Sequence, residues 1–205
     1  MSDIGSIMRL APVMPVLIID DAGKARDIAE ALVEGGLCVL EVTLRTPAAL
    51  DAIREMSQVK GAVVGAGTVL NEANLQQSIE AGAKFIVSPG ITERLGCAAI
   101  ASGVPFLPGV SSAADIMRGL DLGLSHFKFF PAEASGGIPA LKALVGPFAD
   151  ARFCPTGGIT FTSAPDWLAL DPVLCVGGTW LNAKSAGIDR EALRSAATAA
   201  AALAR

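Results

Sequence analysis

Nowhere in the 205 residues do Lys and Arg gather into a run, and the formal net charge is -4. The chain therefore has no electrostatic footprint for nucleic acid or for an anionic membrane. Any anionic ligand must be held by local devices. The four cysteines, Cys38, Cys97, Cys154 and Cys175, form no CxxC pair. Three of them lie in apolar, strand-like runs, where a free Cys behaves as a small hydrophobe, and a reducing compartment fits that usage. The apolar run from Val13 to Ile19 is too short to span a bilayer. The start, Met1-Ser2-Asp3-Ile4-Gly5, carries an early acid and lacks the charged-then-apolar pattern of a signal peptide. The chain reads as soluble, unprocessed and cytoplasmic. No GxGxxG follows the first apolar run, which removes the best support for a dinucleotide-binding open sheet. No linker, low-complexity stretch or charge boundary divides the sequence, so residues 1-205 read as one domain.

What is present is a compact, apolar composition, 52% hydrophobic and 18% charged, of the kind globular enzymes have. Short apolar or β-branched runs alternate with helical patterns. The runs are Val13 to Ile19, Leu37 to Leu44, Ala62 to Gly65, Lys84 to Ser88, Val104 to Leu107, His126 to Phe130, Ala151 to Cys154 and Val173 to Val176. Their starts recur roughly every 20 to 25 residues, the rhythm of repeated βα units on a parallel sheet. Caps and stops mark the helices between them. Asp21 precedes Ala22 to Glu34, Thr46-Pro47 offers a cap with proline at the first helical position, and Asn71 precedes Glu72 to Glu80. Thr92 opens Glu93 to Ser102, and Ser111-Ser112 opens Ala113 to Leu122. The Ala-rich stretch Ala192 to Ala204 reads as a closing helix. Eight of each element predict an α/β fold of the (β/α)8 TIM-barrel type, for which about 200 residues is the small end of the range. A doubly wound open sheet is its main rival.

In such a barrel the chemistry sits at the C-terminal ends of the strands, and polar residues cluster there. Lys128 lies near the end of the sixth run, in His126-Phe127-Lys128-Phe129-Phe130-Pro131, with aromatic neighbours on three sides. Partial desolvation among phenyl rings would disfavour the ammonium and favour a neutral, nucleophilic amine, which is what Schiff-base chemistry needs. The plainer reading is a strand-end lysine whose head snorkels to water. Glu41, in the middle of Cys38 to Leu44, is costly to bury unless paired or catalytic. It could pair with Arg45, two pleats along, or transfer protons near Lys128. Thr156-Gly157-Gly158-Ile159 and Gly177-Gly178-Thr179-Trp180 follow the seventh and eighth runs, where such barrels usually bind phosphate. The other lysines are poorly placed: Lys24 and Lys142 on helical patterns, Lys60 and Lys184 in polar connections, and Lys84 at the start of its strand. Histidine occurs once. His126 shares a strand face with Lys128 but reads first as a satisfied core residue. Glu133 reads as a solvent-facing loop acid able to orient its loop.

The segments Val39 to Thr46, Gly65 to Leu70, Ser88-Pro89-Gly90, Phe127 to Glu133, Arg152 to Ile159 and Gly177 to Leu181 closely resemble, in order, the 2-keto-3-deoxy-6-phosphogluconate (KDPG) aldolases, some members of which also cleave 4-hydroxy-2-oxoglutarate. The likeness runs from about residue 10 to the C-terminus, as far as the ordered βα pattern itself extends. The resemblance implies a class I aldolase that splits 2-dehydro-3-deoxy-6-phosphogluconate into pyruvate and glyceraldehyde 3-phosphate in the Entner–Doudoroff route. It implies Lys128 as the Schiff-base lysine and Glu41 as the general acid/base, working through a water. It further implies Arg45 and Thr68 at the pyruvyl carboxylate, Pro89 and Phe130 lining the pocket, and Thr156 near the substrate chain. Gly157, Gly158 and Thr179 would take the phosphate, and the assembly would be a homotrimer. Thr179 departs from the serine common in the family, which bears on substrate preference. Neither a metal nor another cofactor is implied; a metal-dependent aldol cleavage would need several His or carboxylate ligands around one ion. Two other readings of the glycine loops are a phosphosugar epimerase or isomerase and a catalytically silent phosphosugar-binding protein. The galactonate-derived substrate and 4-hydroxy-2-oxoglutarate stand as alternative substrates.

Overall fold

Parallel strands and helices alternate as the sequence predicts. The computed structural model describes residues 3–181 and 189–204, so Met1, Ser2 and Lys184 lie outside the described residues. The strands are β1 Val13–Leu17, β2 Val39–Thr43, β3 Val63–Gly67, β4 Phe85–Val87, β5 Phe106–Leu107, β6 Gly109–Val110, β7 His126–Phe129, β8 Arg152–Pro155 and β9 Val176–Gly178. The helices are α1 Ile4–Met8, α2 Ala25–Glu34, α3 Ala49–Met56, α4 Glu72–Glu80, α5 Glu93–Ser102, α6 Ala113–Asp121, α7 Gly137–Val145, α8 Ala164–Leu168 and α9 Arg190–Ala201. Caps account for several helix starts. Asn71, Thr92 and Ser112 each accept a backbone N–H in the first turn of α4, α5 and α6, and Asp115 answers Ser112 in a capping box. Among the described residues, no helix is long and apolar enough to cross a membrane.

All pairings are parallel, in a six-stranded sheet of order β5-β4-β3-β2-β1-β9 and a three-stranded sheet of order β6-β7-β8. The expected fifth run, Val104 to Leu107, shortens to β5, and a further short strand, β6, follows it. Pro108 between them has no N–H to give to a ladder; Phe106 and Leu107 pair with β4, whereas Gly109 and Val110 pair with β7. The Pro108 carbonyl still accepts the Lys128 N–H at 2.8 Å. At the other edge, isolated parallel bridges Phe153↔Val173 and Thr156↔Gly177 bring the small sheet against the chain of β9. The result is a mixed α/β fold on a curled parallel sheet.

Period-two alternation gives each strand one face toward the helices and one toward the concave interior. Leu40, Val42, Val64, Ala66, Ile86, Phe127, Phe129 and Phe153 belong to the large core shared with the helices. A second, smaller cluster holds Met14, Val39, Phe85, Val87, Leu107, Cys154 and Cys175, and into it run Ile7 and Met8 of α1. That helix adds a ninth to the eight expected, and it plugs the N-terminal end of the concave interior. Its signal lay in Asp3, which caps the Ser6 N–H at 2.9 Å, and in the apolar i, i+3, i+4 spacing of Ile4, Ile7 and Met8.

Met8 is 1% exposed. Met8→Ala should therefore lower unfolding stability by about 2 to 5 kcal/mol in urea titrations, through lost burial and a residual cavity. A change below about 0.5 kcal/mol, the usual size of a surface substitution, would show that α1 does not seal the inner core.

Candidate functional site

Lys128 and Glu41 meet inside the curled sheet. The Lys128 Nζ donates to Glu41 Oε1 at 2.9 Å and to Oε2 at 3.1 Å, and the two residues are only 5% and 1% exposed. They come from β7 and β2, 87 residues apart in sequence. Lys128 is the one buried lysine among the described residues. Both are odd members of strands whose alternate residues pack on the helices, so the pleat turns them inward.

The same alternation corrects the picture of an amine enclosed by phenyl rings. Phe127 and Phe129, its sequence neighbours, point the other way into the large core, where Phe127 lies 6.1 Å from Phe153 and Phe129 lies 6.2 Å from Trp167. Only Phe130 of the three faces the amine, with 5.5 Å from Nζ to its ring centroid, within cation–π range. The partner that matters is the carboxylate. Glu41 pairs with Lys128 and not with Arg45, which is exposed and sends its Nε toward Thr68 Oγ1 at 3.3 Å.

Room for the carboxylate comes from a residue the sequence reading passed over. A Cβ on Gly67, in β3 beside β2, would stand 2.1 Å from Glu41 Oε1 and 2.7 Å from its Cγ and Cδ. Gly65, one pleat earlier, likewise clears the Phe85 ring. Spacing of two glycines on a strand that borders a large inward side chain was the available signal.

The other expected residues all lie just beyond strand ends on the same side. Thr68 follows β3 with φ 60°, the only non-glycine with positive φ among the described residues. For a β-branched side chain that is a strained conformation, of the sort that concentrates at functional sites. Pro89 and Phe130 line one cavity of about 370 Å³, together with Val69, Ser88 and Gly109. Lys128 and Glu41 do not line it; their side chains are closed against one another. Thr156 is buried directly after β8, its Oγ1 close to the Cys154 carbonyl at 3.4 Å, and Gly177 gives it space. Gly157 and Gly158 take φ of 102° and 83°, so their turn is one that L side chains rarely adopt. Thr179 is exposed at the end of β9.

Two expectations change. Gly177-Gly178 is not a second loop of the same kind but part of β9, where Gly177 exists to clear Thr156 and Gly178 to clear Trp180 and Val13. His126 shares the inward face with Lys128 yet sits at the opposite end, against Gly5, with Nδ1 3.1 Å from Ser125 Oγ. Burial holds its imidazole below the ordinary value, while the nearby Asp3 carboxylate pulls the other way.

A curled parallel α/β sheet with a buried lysine–carboxylate pair and a ring of polar strand-end residues has the layout of an α/β enzyme. The family model for KDPG and KHG aldolase matches residues 4–196. A curated relative from Zymomonas mobilis, a 2-dehydro-3-deoxy-phosphogluconate aldolase, is 64% identical over 181 residues, covering 88% of this chain and 87% of its own. The crystal structure of a 2-keto-3-deoxy-6-phosphogluconate aldolase of Zymomonas mobilis with 3-phosphoglycerate superposes with a TM-score of 0.96 at 59% identity, covering 99% of this chain and 97% of that one. A KDPG aldolase from Legionella pneumophila, with pyruvate captured as a covalent carbinolamine intermediate, gives 0.93 at 40% identity over 98% and 99% of the two chains. This chain belongs to the KDPG and KHG aldolase family.

Gly67→Ala should force the Glu41 carboxyl away from Lys128 and cost about 1 to 3 kcal/mol of stability in denaturant titrations. Gly90→Ala, where a Cβ would meet nothing within 4 Å, should leave stability within about 0.5 kcal/mol. Equal behaviour of the two variants would contradict the assigned close approach.

Proposed function

We propose that this protein is a class I aldolase that cleaves 2-dehydro-3-deoxy-6-phosphogluconate to pyruvate and glyceraldehyde 3-phosphate, with Lys128 as the Schiff-base lysine. The observation that carries the reading is the buried Lys128–Glu41 pair at 2.9 Å, in a member of a family whose curated relative bears that activity in its name. The Legionella relative, with pyruvate held covalently, supports an amine as the nucleophile.

In this mechanism Glu41 takes a proton from the Lys128 ammonium, and the neutral Nζ attacks the C2 ketone of the substrate. Glu41 gives that proton to the carbinolamine hydroxyl, which leaves as water, so that a protonated imine and a free carboxylate remain. Glu41 then accepts the proton of the C4 hydroxyl, the C3–C4 bond breaks, and its electron pair is taken up by the imine. Glyceraldehyde 3-phosphate leaves and an enamine remains. Glu41 returns the proton to C3 of the enamine, and hydrolysis of the resulting imine releases pyruvate and restores the amine. None of these steps calls for a metal. The Arg45 guanidinium fork suits the substrate carboxylate, beside the Thr68 hydroxyl it already approaches. Pro89 and Phe130 form the apolar wall, and Thr156 stands near the substrate chain. Gly157, Gly158 and Thr179 receive the phosphate, for which the positive φ of the glycine turn exposes backbone N–H groups.

Family resemblance extends the proposal. The two sheets are one (β/α)8 barrel interrupted at Pro108, residues 1–205 are a single catalytic domain, and the protein is a cytoplasmic homotrimer. The family description names both substrates, so 4-hydroxy-2-oxoglutarate is the second substrate to assay.

Lys128→Gln keeps a donor for the Glu41 carboxylate and so tests chemistry apart from folding. It should lose at least about 1,000-fold in turnover of the phosphorylated acid, as removal of a covalent nucleophile does, with an unchanged circular dichroism spectrum. Glu41→Gln should lose about 100-fold or more, the usual weight of general acid–base catalysis. Full turnover by the folded Lys128→Gln protein would move the nucleophile elsewhere.

A further inference from the structure

Glu133 lies on the loop after β7, five residues beyond Lys128, and the structure gives it more than a solvent-facing role. Its Oε1 accepts the indole N–H of Trp167 at 3.1 Å. Trp167 is 1% exposed, belongs to α8, and stacks at a tilt on Phe129, the residue next to Lys128. The Glu133 backbone N–H donates to the Gly157 carbonyl at 3.1 Å, and that of Ala132 donates to the Thr156 carbonyl at 2.8 Å. A Cβ on Gly158 would stand 2.7 Å from both Cβ and Cγ of Glu133. One side chain therefore touches the glycine turn, the α8 tryptophan and, through it, the strand that carries the lysine.

This contact set has a specific consequence. A turn with two successive glycines at positive φ has little intrinsic preference for one conformation. Its carbonyls and N–H groups can be aimed only by what is packed on it. Here that support is the stem of Glu133 on one side, and the stem itself is pinned by the Trp167 hydrogen bond. The anchor needs an acceptor at that point, not a negative charge.

We propose that Glu133 is a positioning residue for the phosphate end of the substrate: by clamping the Gly157–Gly158 turn to Trp167 it sets the orientation of the backbone N–H groups that receive the phosphate, without taking part in the chemistry at Lys128. The inference rests on the aldolase reading above and on the phosphate lying at that turn. It separates binding of the two ends of the substrate. Loss of the clamp should weaken the phosphorylated acid and leave untouched a substrate that never reaches the turn.

The test is steady-state kinetics of the full chain with the phosphorylated acid and with unphosphorylated 4-hydroxy-2-oxoglutarate. Glu133→Ala should raise KM for the phosphorylated acid by about tenfold, the scale of a modest loss of positioning, with kcat within about twofold. Both constants for 4-hydroxy-2-oxoglutarate should stay within about twofold of the parent enzyme, as expected when no interaction with that substrate is removed. Trp167→Phe, which removes the N–H donor and keeps one aromatic ring of the indole, should reproduce the selective rise. Glu133→Gln, which keeps the acceptor and removes a charge facing an anion, should restore a KM at or below that of the parent. An unchanged KM in Glu133→Ala, an equal loss on both substrates, or a failure of Gln to rescue would overturn the positioning role. Failure of the underlying reading looks different. A parent enzyme that turns over the phosphorylated acid without being inhibited by inorganic phosphate, and without preferring that acid to the unphosphorylated one, would remove the phosphate site and the clamp with it.

Discussion

Two charges withdrawn from water are expensive to bury and more expensive to separate once buried. Lys128 and Glu41 hold each other at 2.9 Å across the concave side of the sheet, and neither has enough exposure for solvent to replace its partner. Removing one member of such a pair typically costs about 3 to 5 kcal/mol because the other is left uncompensated. The surrounding structure is shaped to that requirement. Gly67 leaves the carboxylate its space, Phe130 presents a ring to the ammonium, and the apolar cluster sealed by Ile7 and Met8 of α1 lies at the other end of the interior. The pair thus has an apolar cluster on one side of it, and the strand ends with their polar residues lie on the other.

In the proposed reaction this arrangement lets one site hold a nucleophilic lysine without exposing it. A carboxylate in hydrogen-bond contact with an ammonium can receive its proton when a ketone arrives, and on the proposed mechanism the same oxygen atoms then move protons at the substrate carbons. Around the pair, the remaining candidate residues divide by position. Arg45 and Thr68 lie beyond β2 and β3, and Thr156 to Gly158 lie beyond β8. A substrate with a carboxylate at one end and a phosphate at the other would bridge the two groups with its ketone over the amine.

Much of this was legible in the sequence because it rests on local rules. The starts of α4 and α5 follow from Asn71 and Thr92 as caps, and the structure keeps both helices at Glu72–Glu80 and Glu93–Ser102. The inward set of Glu41 and Lys128 follows from the pleat. What the sequence reading misjudged depends on contacts between distant segments. Three flanking phenylalanines suggested an apolar cage for Lys128, yet alternation turns Phe127 and Phe129 away, and a carboxylate 87 residues distant supplies the environment. The fifth run read as ending at Leu107, yet Gly109 and Val110 beyond Pro108 form a further strand that pairs with β7 rather than β4. Gly177-Gly178 looked like a loop, and only the position of Thr156 across the bridge shows why glycine is needed within a strand. The α1 plug was missed because five residues are too few for periodicity to stand out, although Asp3 supplies its cap.

Reductive trapping tests the central claim most directly. The protein is incubated with pyruvate, reduced with borohydride, digested, and read by mass spectrometry. The account predicts a covalent pyruvyl adduct on the peptide that contains Lys128 and on no other lysine. Absence of any adduct under conditions where the protein is folded, or an adduct confined to a different lysine, would contradict it.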